Sequence, residues 1–205
     1  MSKKPQDEQQ LKRRILEAAI PLFNEQGLKF TMDDLAASLS MSKKTIYSVF
    51  RDKKELFSEM VDYVFDAIHK SKAAILENER LPLKEKLSQV LCTLGEQFEE
   101  IDLSQLHELQ EKYPTVYEKV ARRLETGWEG TVALLQEGID QGVLRPFRIP
   151  IFKLMMEVTL EQFFQKDVLV RNGITYRQAL DQVVELLLRG IIVPEAAGGM
   201  HETSL

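Results

Sequence analysis

Lys43, Lys44, Thr45, Tyr47 and Ser48 lie close together on a segment whose other members, Ile46, Val49 and Phe50, are apolar. At 100° per residue the three apolar side chains share one side of a helix. Lys44, Tyr47, Ser48 and Arg51 share the opposite side, with Lys43 and Thr45 on the flanks. Cationic and hydroxyl groups on one face bind phosphate oxygens and base edges, and a helix from Lys43 to Phe50 would span about 12 Å, the width of the B-DNA major groove. The chemistry implied is recognition of duplex DNA. Catalytic motifs are missing: there is no HExxH, GxSxG, Walker-type or GxGxxG pattern. A single cysteine, Cys92, excludes an internal disulfide framework and a Cys/His zinc module, and fits a cytoplasmic protein. It stands among Val90, Leu91 and Leu94 and reads as a buried small residue. Glu96, Glu99, Glu100, Asp102, His107, Glu108 and Glu111 form an acidic patch of the kind that solvated helix faces produce, so neither a metal nor another cofactor is expected. His69 and His201 have no partners at readable spacing.

Charge supports a division of labour. Residues 1–60 hold eleven Lys and Arg against nine Asp and Glu, whereas the remainder holds sixteen against twenty-three. A basic first part and an acidic second part imply different partners. No apolar run approaches the roughly 18 residues of a membrane-spanning helix; Glu185, Arg189 and Gly190 interrupt the most apolar one, Val183 to Val193. MSKKPQDEQQ has no apolar segment of a secretory signal.

Helical periodicity runs through the whole chain, and an all-α fold is expected. Leu11, Ile15, Ala18, Ala19, Leu22 and Phe23 form the stripe of a first helix, which Gly27 ends. Thr31 with Asp34 reads as a weak capping box for a second, short helix, and Ser42 as the cap of the third. Asp52 and Glu55 open a long helix to about Glu77, roughly 38 Å. Further helices are expected at about Leu83–Phe98, Leu103–Lys112, Pro114–Gln141, Ile151–Val170 and Tyr176–Val193. The expected domains are 1–52, a helix-turn-helix unit with residues 1–9 as a tail, and 53–205, a regulatory and dimerisation unit with residues 194–205 as a tail.

The stretch ILEAAIPLFNEQGLKFTMDDLAASLSMSKKTIYSVFRDKKELF resembles the DNA-binding domain of TetR (tetracycline repressor-like) regulators. The ILEAA…LF helix, Gly27, Thr31, LAASLSMS, the TIYSVF core and the closing DKKEL carry the resemblance. It implies a homodimer in which Ser42, Lys43, Lys44, Thr45, Tyr47 and Ser48 face a double-stranded operator, while Thr31 and Lys53 touch phosphates at helix N-termini. Three positions depart from the family pattern. Ser40 replaces the usual turn glycine, Lys44 a small residue and Val49 an aromatic. Ser40 suggests a slightly different turn, because a left-handed backbone costs a non-glycine residue about 1 kcal/mol or more.

Beyond residue 65 the resemblance fades to helix lengths, the GVLRP loop and the LLLRGII ending. The last two helices are apolar around more than one stripe, which calls for pairing with a second copy, and Phe164, Leu180, Val184, Leu187 and Ile191 are the expected interface. The family relation also implies a small-molecule effector, for which Tyr63, Phe98, Trp128, Met155, Met156 and Phe163 are candidate contacts; core packing is the plainer role for each. Gly127 and Gly130 flank Trp128 within an expected helix, which calls for a kink or a close helix approach. The function expected is a ligand-responsive repressor released from a pseudo-palindromic operator. The alternatives are a DNA-anchored adaptor whose second domain holds a protein partner, and a helical enzyme that merely shares the fold.

Overall fold

The structure, a computed structural model, describes residues 3–93, 105–165 and 168–194. Its elements are helices α1 (Lys3–Gln26), α2 (Met32–Ser38), α3 (Lys43–Tyr47), α4 (Lys53–Glu77), α5 (Leu83–Cys92), α6 (Gln105–Lys112), α7 (Pro114–Leu124), α8 (Glu129–Asp140), α9 (Ile149–Gln165), α10 (Val168–Arg171) and α11 (Tyr176–Ile191). A 3-10 turn, Gly27–Lys29, joins α1 to α2. Among the described residues the only extended pairing is an isolated bridge between Leu144 and Ile192, which ties the GVLRP loop to the end of α11. No described helix is long and apolar enough to cross a membrane.

Two apolar cores share α4. In the first, Ile15, Ala19 and Phe23 of α1 meet Leu35 of α2, Ile46 and Phe50 after it, and Leu56, Phe57 and Met60 of α4. Leu109 of α6 and Val116 and Val120 of α7 belong to this same core. The second joins Leu87 and Leu91 of α5, Trp128, Leu134 and Leu135 around α8, Phe152 and Met156 of α9, and Leu180, Val184, Leu188 and Ile191 of α11. The domain boundary expected at residue 52 therefore falls on the cap of a helix whose first turns complete the N-terminal core. Along the α4–α7 seam, Lys119 Nζ donates to Ser58 O (2.8 Å) and Ser58 Oγ (2.9 Å), and also pairs with Asp62. Arg123 pairs with Asp66 one turn on.

Three expectations about the elements need correction. Residues 1–9 are not a tail throughout, since α1 is already helical from Lys3. The helix expected over Pro114–Gln141 is two helices, broken at residues 125–128 where Gly127 adopts φ 73°. That left-handed turn is cheap only for glycine. The third helix is shorter than the expected Lys43–Phe50: Val49 and Phe50 both donate to the single carbonyl of Ile46, so the chain leaves α geometry after Tyr47. Phe98 lies outside the described residues, as do residues 195–205, the side chain of Phe164 and most of the acidic patch.

A glycine inside α8 tests the second core. A Cβ at Gly138 would lie 2.7 Å from both Cγ and Cδ1 of the buried Leu144 and 3.1 Å from Leu83 Cδ2. Alanine gains about 1 kcal/mol over glycine in an open helix, whereas overpacking costs about 1 to 3. Gly138→Ala is expected to lower the unfolding free energy in a urea titration; a gain in stability would show that Leu144 yields freely.

Candidate nucleic-acid interface

Each turn of the reading head is set by a side chain at its start. Thr31 Oγ1 accepts the Asp34 N–H (3.1 Å), and the Asp34 carboxylate accepts both the Thr31 N–H (2.7 Å) and its hydroxyl (2.8 Å), so the short Asp closes the capping box. Those bonds, the backbone N–H foremost, hold Asp34 below the usual carboxylate range. At the far end of α2, Ser40 N–H donates to Ala37 O (3.0 Å) and Met41 N–H to Ala36 O (2.9 Å). This paired closure requires a left-handed residue between, and Ser40 supplies it at φ 52°. The turn thus keeps the geometry a glycine would give, and serine bears a strain of about 1 kcal/mol or more.

Ser42 then caps α3, accepting the Thr45 N–H at 3.1 Å, with the Thr45 hydroxyl 2.9 Å away. Ile46 and Phe50 are fully buried against α1, α2 and α4, which turns the opposite side outward. Lys44 and Ser48 are exposed, and Tyr47 is 49% exposed. An aromatic left half in water at the centre of a polar face is a ready contact surface. Lys43 pairs with Asp33 of α2, and Arg51 with Glu55 (3.1 Å). Among the described residues no carboxylate engages Lys44, which leaves its ammonium as the cation this face offers directly. Glu55 accepts the Arg51 N–H at 2.7 Å, one residue further back than a capping box reaches, while Asp52 caps the Glu55 N–H at 2.8 Å.

Lys53 has a structural part that the resemblance did not imply. Its Nζ donates to Leu28 O (2.6 Å) and Phe30 O, and lies 4.6 Å from the Phe30 ring centroid and 5.4 Å from that of Phe57. Two of its three donors are spent inside the head, so the side chain ties α4 to the α1–α2 turn. Burial, then the neighbouring Lys112, pushes its pKa down, against a smaller pull from Asp34. Thr31 likewise spends its hydroxyl on Asp34.

The expected effector contacts do not converge. Trp128 and Met156 lie together in the second core. Tyr63 belongs to the first, donating to Glu17 Oε1 at 2.9 Å. Met155 is on the outside of α9, and Phe163 meets the Tyr176 ring edge-on at 6.0 Å. Two residues not anticipated face Trp128's neighbourhood from α4. His69 packs on Gly127, where a Cβ would come within 2.3 Å of its Nε2, and Lys72 Nζ lies 5.5 Å from the Trp128 ring centroid. Phe65, Ile68, His69, Lys72 and Leu76 follow i, i+3, i+4, i+7 and i+11, so the signal was a cation on an apolar stripe. The expected interface residues Leu180, Val184 and Ile191 are buried within the chain's own second core and present no surface to a copy; Leu187 is half-buried. The exposed stripe is instead Ile151, Leu154, Met155 and Val158 on α9, with Leu186 on α11. Burial pushes the Cys92 thiol up to about 12, with Asp181 adding to it, so the thiolate that oxidation requires is scarce.

Comparison with known proteins places this geometry. The model of "Bacterial regulatory proteins, tetR family" matches residues 15–60. An uncharacterised HTH-type transcriptional regulator of Bacillus subtilis (strain 168), YvaF, is 28% identical over 185 residues, covering 90% of this chain and 97% of its own. The biofilm operon icaADBC HTH-type negative transcriptional regulator IcaR of Staphylococcus aureus (strain Newman) is 35% identical over 60 residues, 29% of this chain and 32% of its own. In fold, a TetR-family transcriptional regulator from Cytophaga hutchinsonii superposes with a TM-score of 0.67 at 20% identity, over 92% of this chain and 98% of its own.

The two lysines separate by experiment. Lys44→Ala is expected to reduce the salt slope of DNA binding by about one with stability unchanged, and Tyr47→Ala to cost about 1 to 3 kcal/mol of operator affinity. Lys53→Met is expected to leave the slope alone and to destabilise the fold by about 1 to 3 kcal/mol. Fluorescence anisotropy across a salt series beside urea denaturation checks all three, and a lowered slope for Lys53→Met would restore it to the phosphate contacts. Ser40→Gly should raise stability by about 0.5 to 1 kcal/mol, the left-handed penalty less the chain entropy of glycine.

Proposed function

We propose, from the premise that this chain belongs to the TetR family of bacterial transcriptional regulators, that it is a homodimeric repressor released from a pseudo-palindromic operator by a small apolar or amphipathic effector. The observation that carries the reading is the shared core: Leu109, Val116 and Val120 of α6 and α7 are buried in the same cluster as the helix-turn-helix. A reading head packed on the regulatory helices changes its position when those helices shift. Two heads must present α3 about one DNA turn, roughly 34 to 36 Å, apart. An effector that favours another spacing weakens operator binding, and operator weakens effector binding by the same factor. A hundredfold response requires about 2.7 kcal/mol of differential affinity.

The partner copy is argued from the α9 stripe. Ile151, Leu154, Met155 and Val158 recur at i, i+3, i+4 and i+7 and are each about half exposed, while Leu186 on α11 is 72% exposed. An apolar stripe of this length on a water-facing helix is stabilised by burial against its own symmetry mate. Repression agrees with the role of the biofilm operon negative regulator that 60 residues of this chain resemble.

Selection of bound duplexes from random DNA tests the function: the expected product is an inverted repeat with half-site centres about one turn apart, and a lone asymmetric site would refute a two-headed reader. Leu154→Glu combined with Val158→Glu is expected to give a monomer by light scattering, with helix content kept and operator affinity at least about tenfold lower. A double variant that remained dimeric would move the interface off α9.

A further inference from the structure

Among the described residues, five half-buried lysines reach oxygen and Lys72 does not. Lys12 pairs with Glu59 at 2.7 Å, Lys86 donates to Leu76 O at 2.9 Å, Lys119 to Ser58 and Asp62, and Lys153 to Glu125 O and Glu157, while Lys53 holds two carbonyls. Lys72 has no carboxylate and no hydrogen-bond acceptor among the described residues; its Nζ meets the face of Trp128, which is itself buried. A cation over an indole recovers less than the removal of an ammonium from water costs. Burial accordingly lowers the Lys72 pKa, with no opposing carboxylate. The surroundings do not supply the missing anion. Burial comes first among the causes that lower the pKa of His69, one turn back, followed by Arg123 and Lys72, with Asp66 and Glu129 opposing less. Arg123 is already committed to Asp66.

The geometry points to Lys72 Nζ as the anchor for the anionic head of an amphipathic effector, whose apolar tail lies along Trp128 and the second core. This rests on the effector reading above and narrows it to a chemical class. α4 brings the three side chains of this wall, His69, Lys72 and Leu76, against the α7–α8 turn and the first turn of α8, and the approach is close because Gly127 and Gly130 leave room: a Cβ at Gly130 would fall 2.4 Å from Leu76 Cδ1. A single ammonium beside an indole suits a monoanion on a hydrocarbon chain. The head pairs with Nζ, replacing the water lost on burial, and the methylenes continue over the ring. Arginine at position 72 keeps the charge, whereas methionine keeps the stem and removes it.

Dodecanoate and dodecan-1-ol, equal in chain length and used below aggregation, are suitable probes by calorimetric titration and by quenching of Trp128, the one tryptophan. Wild type is expected to bind dodecanoate at least tenfold more tightly than the alcohol. Lys72→Met should bring the two within about twofold, and Lys72→Arg should restore the preference. Because Lys72→Met removes an unpaired charge, its melting temperature should equal or exceed that of wild type, which separates lost binding from lost folding. Equal binding of the two probes by wild type, binding of neither, or an undiminished preference in Lys72→Met would overturn the assignment. Operator release in the same titrations keeps the two readings apart. Alcohol and dodecanoate that release DNA equally would leave the effector-released repressor standing and sink the anionic class. Dodecanoate that binds through Lys72 without releasing DNA would do the reverse.

Discussion

The structure hangs on the packing around Phe57, in the second turn of α4. Its ring meets Phe23 of α1 edge-on at 5.9 Å, Phe30 before α2 at 5.6 Å, and Tyr113 between α6 and α7 at 5.3 Å. Three aromatic neighbours from three parts of the chain fix one side chain that is only 3% exposed. Edge-on pairs are worth about 0.5 to 1.5 kcal/mol each beyond the area they bury. Lys53, one turn earlier, adds its carbonyl bonds to the same junction. Moving the reading head relative to α6 and α7 means breaking this cluster or carrying it along.

That constraint gives regulation a physical route. Apolar packing holds the head to α6–α7 near Phe57, and Lys119 and Arg123 continue the seam along α4. On the far half of α4, His69 and Lys72 lie against the α7–α8 turn and Leu76 against the first turn of α8. One rigid helix therefore has the DNA-reading core at one end and a wall of the second core at the other. A few kcal/mol is comparable with the contacts that set its tilt, which is the scale the proposed linkage requires.

Local order was legible in the sequence, because it depends on neighbours a few residues apart. The caps at Thr31, Ser42 and Asp52, the outward face of Lys44 and Tyr47, and the span of α4 all follow from i, i+3 and i+4 chemistry. The internal bonds of Lys53 were not legible for the opposite reason: its acceptors, Leu28 O and Phe30 O, are 25 and 23 residues away, beyond any periodic pattern. The glycines at 127 and 130 signalled a kink or a close helix approach, and the continuing apolar period concealed only that one helix ends there and another begins. On α11 the sequence shows two apolar stripes, and only burial reveals that Leu180, Val184 and Ile191 face inward while Leu186 faces out. Lys72 could have been noticed as a charge on the inner stripe of α4, although spacing alone does not say whether such a lysine turns in or snorkels out.

The claim that the head and the regulatory helices form one cooperative unit is tested most directly by Trp128 fluorescence during urea unfolding of Phe57→Ala. Trp128 belongs to the second core, and Phe57 to the first. Truncating a buried phenylalanine costs about 3 to 5 kcal/mol. A shared structure predicts that the Trp128 transition moves to lower urea together with the loss of helix seen by circular dichroism. A Trp128 midpoint unchanged from wild type, while part of the helix signal melts early, would show that the two cores unfold independently and would contradict the account.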